Sequence, residues 1–322
     1  MTETSNMTRE MPRVVADGPL AASIVELLRD RVQLLPWTVA LEGSQEPVQG
    51  IYTYGHPRVD GALLDRLPGV RVISNYGVGV DHIRIADAAT RGIPVGNTPG
   101  ILDGATADMA FSLLMAAARR LIEGDRYARS PAFTHYDPGY MLGREVHGAT
   151  IGIIGLGRIG EQIAKRARGF DMTVIYHNRR RNEAREVRSG ARYVPLEELL
   201  TTADYVVLSL PLTPETRHLI GARELAMLKP TTILVNIARG PVVDTAALTE
   251  ALQRRQIYAA ALDVTDPEPL PRDHPLLQLD NVVIAPHLGS ATVQTRQRMA
   301  EISVQNLLAG LASMPLLHEV RE

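Results

Sequence analysis

The sequence predicts an α/β protein built from two lobes, each a doubly wound parallel sheet. Its 322 residues exceed the roughly 100–200 residues of one ordinary domain, which indicates about two domains. Short runs rich in β-branched residues alternate with longer helical stretches through most of the chain. This alternation is typical of a parallel sheet that is covered by helices on both faces.

Composition narrows the class of protein. Hydrophobic residues make up 45% and charged residues 22% of the chain, which is ordinary for a globular protein and indicates neither disorder nor a membrane protein. A formal charge of −2 gives no general case for binding nucleic acid or an acidic membrane surface. With no cysteine, disulfides, thiolate metal sites and cysteine nucleophiles are excluded, and no metal site is expected. Residues 1–13 lack a secretory pattern, so we expect a short frayed tail and a cytoplasmic protein.

Seven short runs are predicted as strands and one long stretch as a helix. The helix covers residues 105–127, where apolar residues recur at helical spacing. It is expected to link the two lobes. The predicted strands are Val70–Ser74, Thr150–Ile154, Met172–Tyr176, Tyr205–Ser209, Thr232–Asn236, Ala259–Asp263 and Asn281–Ala285.

A glycine-rich turn directly follows the predicted strand Thr150–Ile154. Residues 155–160 read Gly-Leu-Gly-Arg-Ile-Gly, which is G-x-G-x-x-G between a strand and a helix. Such glycines permit a tight turn and let the backbone approach a pyrophosphate, while the helix N-terminus offers amide donors. Glycine-rich turns also simply connect strands to helices, but in this setting the pattern predicts a dinucleotide site that includes Gly155, Gly157 and Gly160.

The residues after the next strand indicate which dinucleotide is bound. An NAD enzyme normally presents a carboxylate to the ribose 2′-hydroxyl there, whereas this chain reads His177-Asn178-Arg179-Arg180-Arg181. Guanidinium groups hold a 2′-phosphate through charge-assisted hydrogen bonds. The sequence therefore favours NADP (NADPH), with NAD possible at lower affinity. The alternative is a solvated arginine loop, and Asn178 either bonds the ribose or makes the turn.

Three polar residues follow three separate predicted strands. They are Arg239, Glu268 and His287, and the carboxyl ends of parallel strands lie along one edge of a sheet, where ligands bind. Reduction of a 2-keto acid needs a cation for the carboxylate, an acid for the carbonyl oxygen and a group that keeps this acid charged. Arginine, histidine and glutamate supply these roles. Each residue by itself is more often structural, but together they predict a catalytic site.

Motifs in the order of a known family run through the chain from Tyr76 to Thr292. They resemble those of the D-isomer-specific 2-hydroxyacid dehydrogenases, in particular the glyoxylate/hydroxypyruvate reductases. The segments are Gly77–Asp81, Asn97–Gly100, Ala105–Asp108, Gly155–Gly160, Leu210–Thr216, Asn236–Gly240, Asp263–Pro269 and Pro286–Thr292.

The resemblance implies an NAD(P)-dependent oxidoreductase that acts on CH–OH groups. It implies a Rossmann-type cofactor domain over residues 103–290 and a smaller flavodoxin-like substrate domain over residues 1–102, completed by residues 291–322. The implied substrate is a small-molecule 2-keto or 2-hydroxy acid, and a homodimer formed through the cofactor domain is expected.

The resemblance also implies individual roles. Arg239 would bind the substrate carboxylate and carbonyl, Glu268 would pair with His287, and His287 would donate the proton. Backbone amides of Val78 and Gly79 would hold the carboxylate. With the motif residues above, the expected cofactor contacts are Thr106, Gly155, Gly157, Arg158, Ile159, Gly160, Asn178, Arg179, Arg180, Pro211, Thr216, Ile237, Asp263 and Gly289. Asp263 is expected to bond the nicotinamide amide.

The identity of the keto acid stays open. Many relatives that reduce hydroxypyruvate carry a Trp shortly before the cofactor strand, whereas Pro131–Tyr136 fills that region here and the single Trp is Trp37. Tyr52, Tyr54 and His56 are expected in a loop after a short strand, where they either line the pocket or pack; Tyr54 is the one predicted to bind substrate.

The sequence thus predicts an NADPH-preferring reductase that converts small 2-keto acids of the glyoxylate or hydroxypyruvate type to D-2-hydroxy acids. Alternatives are another dehydrogenase of the family, such as a 2-ketogluconate reductase or a phosphoglycerate dehydrogenase. A further alternative is a dinucleotide-sensing regulatory protein on the same scaffold.

Overall fold

A computed structural model describes residues 11–321, in which strands and helices alternate along the chain. The strands are β1 (Arg13–Ala16), β2 (Gln33–Pro36), β3 (Gly50–Thr53), β4 (Val72–Asn75), β5 (Val95–Gly96), β6 (Thr150–Ile154), β7 (Thr173–His177), β8 (Arg192–Tyr193), β9 (Tyr205–Leu208), β10 (Ile233–Asn236), β11 (Ala259–Leu262) and β12 (Val282–Ile284). The helices are α1 (Ala22–Leu28), α2 (Thr38–Glu42), α3 (Gly61–Leu64), α4 (Ile85–Ala89), α5 (Asp103–Ala118), α6 (Leu121–Ala128), α7 (Arg158–Arg168), α8 (Glu183–Ser189), α9 (Leu196–Thr202), α10 (Ala222–Met227), α11 (Thr245–Gln253) and α12 (Val293–Leu311).

The chain divides into two compact units. One contains the described residues up to Leu102 together with those from Thr292 onward, and the other is Asp103–Ala291. Each unit has its own parallel sheet, which confirms the predicted fold class. In the part of the chain described, no helix combines the length and the apolarity that crossing a bilayer requires.

The first unit contains a five-stranded parallel sheet with the order β2-β1-β3-β4-β5, which is the order of flavodoxin-like folds. Helix α12 packs against β3, β4 and α1. The contact is close, because a Cβ atom added to Gly310 would lie 2.4 Å from the side chain of Val72.

One sequence-based expectation fails in this unit, and another is corrected at its last residue. Tyr52 is not in a loop: it lies in β3 and is fully buried, and its hydroxyl shares a hydrogen bond with Ser303 Oγ of α12 at 2.7 Å. Tyr52 is buried because α12 packs over β3, and the residues around Tyr52 in the sequence do not indicate this contact. Most of the frayed tail predicted for residues 1–13 lies outside the described residues. However, Arg13 begins β1 and pairs with Gln33.

The second unit contains a seven-stranded parallel sheet with the order β12-β11-β10-β9-β6-β7-β8. The chain starts at β6, proceeds to β7 and β8 on one side, and then crosses to β9 on the other side. The order therefore reverses between β6 and β9, which is the point where ligands bind in doubly wound sheets. Alternate strand residues pack against α5 and α7 on one face and against α9, α10 and α11 on the other. These two layers hold the carboxyl ends of the seven parallel strands along one edge.

The single helix predicted for residues 105–127 is wrong, because α5 ends at Ala118 and α6 begins at Leu121. Arg120 adopts a left-handed backbone conformation with a φ of 50°. The carbonyl oxygen of Ala118 accepts a hydrogen bond from the amide of Arg144 at 2.7 Å, and Gly143 passes so close that a Cβ there would lie 2.3 Å from that oxygen. A distant segment therefore ends the helix, which local periodicity cannot reveal.

Candidate active site

The glycine turn between β6 and α7 is tight on its protein side and open on the other. Gly155 has a φ of +104°, and a Cβ there would lie 2.3 Å from the carbonyl oxygen of Ser209, just beyond β9. A Cβ at Gly160 would lie 2.3 Å from the carbonyl oxygen of Gly155. A Cβ at Gly157, in contrast, would meet no atom within 4 Å. The first and third glycines therefore serve packing, and the second leaves space beside the turn.

The open side of this turn fits a dinucleotide pyrophosphate. Helix α7 begins at Arg158, and the first amides of a helix, here those of Arg158 and Ile159, have no acceptor within the helix. They can donate to an anion at that position. The neighbouring amide of Leu156 donates to Asn178 Oδ1 at 2.7 Å. The Asn178 side chain thus joins the turn to the end of β7.

The arginine loop after β7 is held at its far end by a buried tyrosine. The Tyr176 hydroxyl accepts from the amide of Asn182 at 3.0 Å and donates to Glu186 Oε1 at 2.7 Å. Arg181 donates to both oxygens of Glu186, at 2.7 and 2.8 Å. The hydrogen bonds from Arg181, followed in size by the one from Tyr176, lower the pKa of Glu186 to about 2. The Arg181 guanidinium is therefore held in an ion pair with Glu186.

Arg179 and Arg180 differ from Arg181 in their surroundings. Both are exposed, and neither forms an ion pair with any residue in 11–321. Of the predicted guanidinium cluster, Arg181 is thus held in an ion pair, whereas Arg179 and Arg180 are not.

His287 and Glu268 form a direct pair at the same edge of the sheet. His287 follows β12 and Glu268 lies in the loop after β11. His287 Nδ1 and Glu268 Oε1 are 2.7 Å apart, and Glu268 Oε2 accepts from the amide of Thr265 at 3.2 Å. Their side chains are 31% and 41% exposed, respectively. The pair is therefore fixed by hydrogen bonds and still accessible to a small molecule.

A buried carboxylate holds the loop that carries the histidine. Asp263 is 2% exposed, and its Oδ1 and Oδ2 accept from the amides of Leu288 and Gly289 at 2.7 and 2.8 Å. Burial raises the pKa of this carboxyl group above its ordinary value. The amide of His287 itself donates to the carbonyl oxygen of Asp263 at 2.9 Å. Asp263 thus fixes the histidine loop, and its bond to a nicotinamide amide stays a prediction.

Thr106 and Gly289 are neighbours of Asp263. A Cβ at Gly289 would lie 3.1 Å from Asp263 Oδ2 and 3.3 Å from Thr106 Cγ2. Three predicted cofactor residues from distant parts of the chain therefore meet at one place.

Arg239 lies in a loop that packs directly against the loop of Glu268. The Asn236 side chain shapes this loop, because its Nδ2 donates to the carbonyl oxygen of Arg239 at 2.9 Å and its Oδ1 accepts from the amide of Ala238 at 3.0 Å. The next residue is Gly240, where a Cβ would lie 1.9 Å from the carbonyl oxygen of Thr265. The same Thr265 donates its amide to Glu268. The loops of all three predicted catalytic residues are thus connected.

Sequence reasoning missed Asn236, Gly240 and Thr265. Asn236 and Gly240 belong to the family motif Asn236–Gly240, so the sequence marked them as part of a motif but did not indicate what they contact. Nothing in the sequence marks Thr265.

The remaining predicted cofactor residues of this unit lie beyond β9 and β10. Thr216 Oγ1 donates to the carbonyl oxygen of Pro211 at 2.8 Å, so these two form one turn. Ile237 is buried and follows β10 directly. Within residues 11–321, no cluster of three His, Asp or Glu side chains is arranged to hold a metal ion.

The first unit contains the predicted substrate residues Val78, Gly79 and Tyr54. Val78 and Gly79 follow β4, and Tyr54 follows β3. The ring of Tyr54 lies against that of Tyr76, with centroids 4.9 Å apart. His56 is exposed, and its ring meets that of His82 edge-on with centroids 5.0 Å apart. The predicted carboxylate-binding residues therefore lie at the carboxyl edge of this unit's sheet.

A cavity of about 560 Å³ lies elsewhere in the second unit. It is bordered by α6 and by Pro230, Tyr258 and Asn281, which precede β10, β11 and β12. This is the opposite edge of the sheet from the glycine turn, and none of the predicted site residues lines the cavity.

Comparison with known proteins agrees with this geometry. The sequence profile described as "D-isomer specific 2-hydroxyacid dehydrogenase, NAD binding domain" matches residues 111–289. The glyoxylate reductase of Thermococcus gammatolerans is 44% identical over 309 residues, which cover 92% of either chain. The glyoxylate reductase of Pyrococcus horikoshii is 45% identical over 307 residues, which cover 94% of this chain and 91% of the relative.

Solved structures give the same result. The TT0316 protein from Thermus thermophilus superposes with a TM-score of 0.87 at 42% identity, covering 96% of this chain and 100% of that one. The NADPH-dependent glyoxylate/hydroxypyruvate reductase SMc04462 from Sinorhizobium meliloti, solved with NADP and malonate, gives a TM-score of 0.89 at 32% identity and 97% coverage of both chains. This chain belongs to the D-isomer-specific 2-hydroxyacid dehydrogenase family. It is an oxidoreductase that uses a nicotinamide dinucleotide.

The open space beside Gly157 allows a mutational test of the predicted cofactor site. Gly157→Ala adds a methyl group where the protein has no atom within 4 Å, so we expect normal folding and a dinucleotide dissociation constant raised about tenfold or more by the obstructed pyrophosphate. Fluorescence titration with NADPH measures this constant. Gly169→Ala is the control, because it lies at the far end of α7 and should leave the constant unchanged. Unaltered binding to Gly157→Ala would contradict the assignment.

Proposed function

We propose that this enzyme is an NADPH-preferring reductase that converts small 2-keto acids of the glyoxylate or hydroxypyruvate type to D-2-hydroxy acids. The observation that carries the proposal is the 2.7 Å contact between His287 Nδ1 and Glu268 Oε1 at the ligand-binding edge of a Rossmann-type sheet. The similar proteins named glyoxylate reductase support the choice of keto acid.

His287 is the proposed proton donor. Its Nδ1 is held by Glu268, so the proton that His287 transfers is the one on Nε2. When bound, a dihydronicotinamide would supply the hydride to the carbonyl carbon. As the carbonyl oxygen gains negative charge, His287 gives it a proton and becomes neutral, which completes the hydroxyl group.

Arg239 is the proposed cation for the substrate carboxylate and carbonyl. Its loop is fixed by Asn236 and by the contact of Gly240 with Thr265, so the guanidinium starts from a defined backbone. In the first unit, the amides of Val78 and Gly79 are proposed to bind a substrate carboxylate. Guanidinium and amide donors both form charge-assisted hydrogen bonds with carboxylate oxygens.

The first experiment is an activity assay. Loss of NADPH absorbance is followed with glyoxylate, hydroxypyruvate, 2-ketogluconate, phenylpyruvate and phosphohydroxypyruvate, and chiral chromatography identifies the glycerate formed from hydroxypyruvate. We expect turnover of glyoxylate and hydroxypyruvate and formation of D-glycerate. His287→Asn should lower kcat by about 10²–10⁴, because proton transfer is lost.

Two further variants accompany His287→Asn, one as a control and one to test the role of Arg239. His147→Asn is the matched control, because His147 is exposed and pairs only with Asp171; its kcat should equal that of the wild type. Arg239→Met should raise KM for the keto acid and lower kcat while leaving the dissociation constant of NADPH unchanged. Wild-type turnover by His287→Asn, or lost NADPH affinity in Arg239→Met, would refute the roles assigned here.

The proposed preference for NADPH rests on Arg179 and Arg180. Both guanidinium groups are exposed beside Asn178, whose side chain holds the glycine turn. A 2′-phosphate bound there would accept charge-assisted hydrogen bonds that NADH cannot make.

The double variant Arg179→Ala, Arg180→Ala separates the two cofactors. We expect the KM for NADPH to rise by about tenfold or more, as the loss of hydrogen bonds to a charged group implies, while the KM for NADH changes little. Arg192→Ala is the control, since it removes an exposed arginine paired with Glu198 in the same unit. An equal rise for both cofactors would show that these arginines do not read the 2′-phosphate.

We also propose a homodimer formed through the second unit. Helix α6 has no buried residue, and the irregular segment that follows it exposes several large apolar side chains. These are Phe133, Tyr136, Tyr140 and Leu142. Such a concentration of exposed aromatic and aliphatic groups is typical of an interface.

Light scattering after gel filtration tests the dimer. The wild type should elute with twice the chain mass of 35.2 kDa, and Tyr136→Asp with Leu142→Asp should shift it to the monomer, because charges are placed in an apolar contact. Val187→Asp serves as the control, because Val187 is 87% exposed on α8. A monomeric wild type would refute the proposal.

A further inference from the structure

The loop Gly77–Gly79 of the first unit is held by side-chain carboxamides. Asn75 Nδ2 donates to the carbonyl oxygens of Gly77 and Gly79 at 3.0 and 2.9 Å. Asn97 Nδ2 donates to the carbonyl oxygen of Val78 at 2.9 Å. The carbonyl oxygens of three consecutive residues are therefore all bound by two asparagine side chains.

These contacts decide where the loop's amides point. The peptide units 77–78 and 78–79 are trans, and in a trans peptide the C=O and N–H bonds point in opposite directions. Since the carbonyl oxygens of Gly77 and Val78 are held on the side of the two asparagines, the N–H groups of Val78 and Gly79 point away from them. Within residues 11–321 these two amides donate to no acceptor. The loop thus presents two adjacent donors, which suit the two oxygens of a carboxylate.

Further hydrogen bonds hold the Asn75 side chain and the Asn97 backbone in place. Asn75 is 2% exposed, and its Oδ1 accepts from Thr53 Oγ1 at 2.8 Å, which keeps Nδ2 directed at the loop. The backbone of Asn97 is held by Asn306 of α12, whose Nδ2 donates to the Asn97 carbonyl oxygen at 3.0 Å. The amide of Thr98 also donates to the Gly77 carbonyl oxygen at 3.0 Å. Only a side chain with a hydrogen-bond donor can make the contacts of Asn75 and Asn97, so a carboxylate or an apolar group of similar size would not replace them.

We propose that Asn75 and Asn97 are positioning residues that aim the Val78 and Gly79 amides at the carboxylate of the keto acid. Neither residue needs to touch the substrate. The proposal rests on the function proposed above, and it adds the two side chains that set the geometry of carboxylate binding. Because this geometry acts on substrate binding, its loss should change KM more than kcat and should not change cofactor affinity.

The test compares three variants, two at Asn97 and one at Asn75. Asn97→Ala removes the donor to the Val78 carbonyl oxygen, and we expect the KM for glyoxylate to rise about tenfold, as weakened hydrogen bonds to a carboxylate imply. In Asn97→Asp an oxygen replaces Nδ2 and faces that carbonyl oxygen, so the KM should rise further than in Asn97→Ala. Asn75→Ala removes two donors and should act in the same direction. The inhibition constant of oxamate should follow the KM in each variant, whereas kcat and the dissociation constant of NADPH should stay within about twofold.

Two controls separate positioning from general damage. Gln49→Ala removes a carboxamide that donates to the Pro47 carbonyl oxygen before β3, at the opposite edge of the same sheet, and should leave the KM unchanged. The single tryptophan, Trp37, packs against the core of this unit, so its fluorescence during urea unfolding reports whether each variant is folded. If Asn75→Ala does not fold, the Asn97 pair decides alone.

The outcomes distinguish this inference from the proposed function. Turnover by the wild type with an unchanged KM in both Asn97 variants would overturn the inference and leave the function intact. A parallel loss of keto acid and NADPH affinity would also overturn it, because that pattern indicates structural damage. No turnover of any keto acid by the wild type would overturn both.

Discussion

The ligand-binding edge of the second unit depends on backbone segments that approach too closely for any side chain. A Cβ at Gly240 would lie 1.9 Å from the Thr265 carbonyl oxygen, and one at Gly155 would lie 2.3 Å from that of Ser209. These contacts bring the loops after β10 and β11, and those after β6 and β9, against each other. Because the loops are in direct contact, Arg239, Glu268 and His287 can belong to one site although they are far apart in the sequence.

Side chains at strand ends then fix the loops that these contacts assemble. Asp263 accepts two amides from the histidine loop, and in the first unit Asp17 accepts the amides of Tyr54 and Gly55. Asn75 and Asn178 act on neighbouring turns through a carboxamide. A short polar side chain at a strand end can satisfy loop groups that would otherwise be buried without partners. The loops of the predicted site are consequently fixed by the protein itself, and such preorganisation lowers the cost of binding a ligand.

Much of the site could be predicted from the sequence, but its supporting contacts could not. The sequence indicated three features directly: the glycine pattern, the missing acid after β7 and the three polar residues. Each of them depends on a residue type at a fixed distance from a strand. The commitment of Arg181 to Glu186 was not visible, since it depends on how β7 and α8 pack. The same is true of Asn178, which holds the glycine turn rather than simply making its own turn. Tyr52 shows the limit most clearly, because its hydroxyl partner, Ser303, is 251 residues away.

The sequence by itself determined the class of fold, the place of the glycine-rich turn and the residue types of the predicted catalytic site, because periodicity and residue type are local properties. Only the tertiary structure decided where helix α5 ends, which arginine is held in an ion pair, and where the amides of Val78 and Gly79 point. Each of these features depends on a hydrogen bond or a backbone contact between residues from separate elements. Such contacts form only when the chain has folded, and for that reason no window of the sequence contains them.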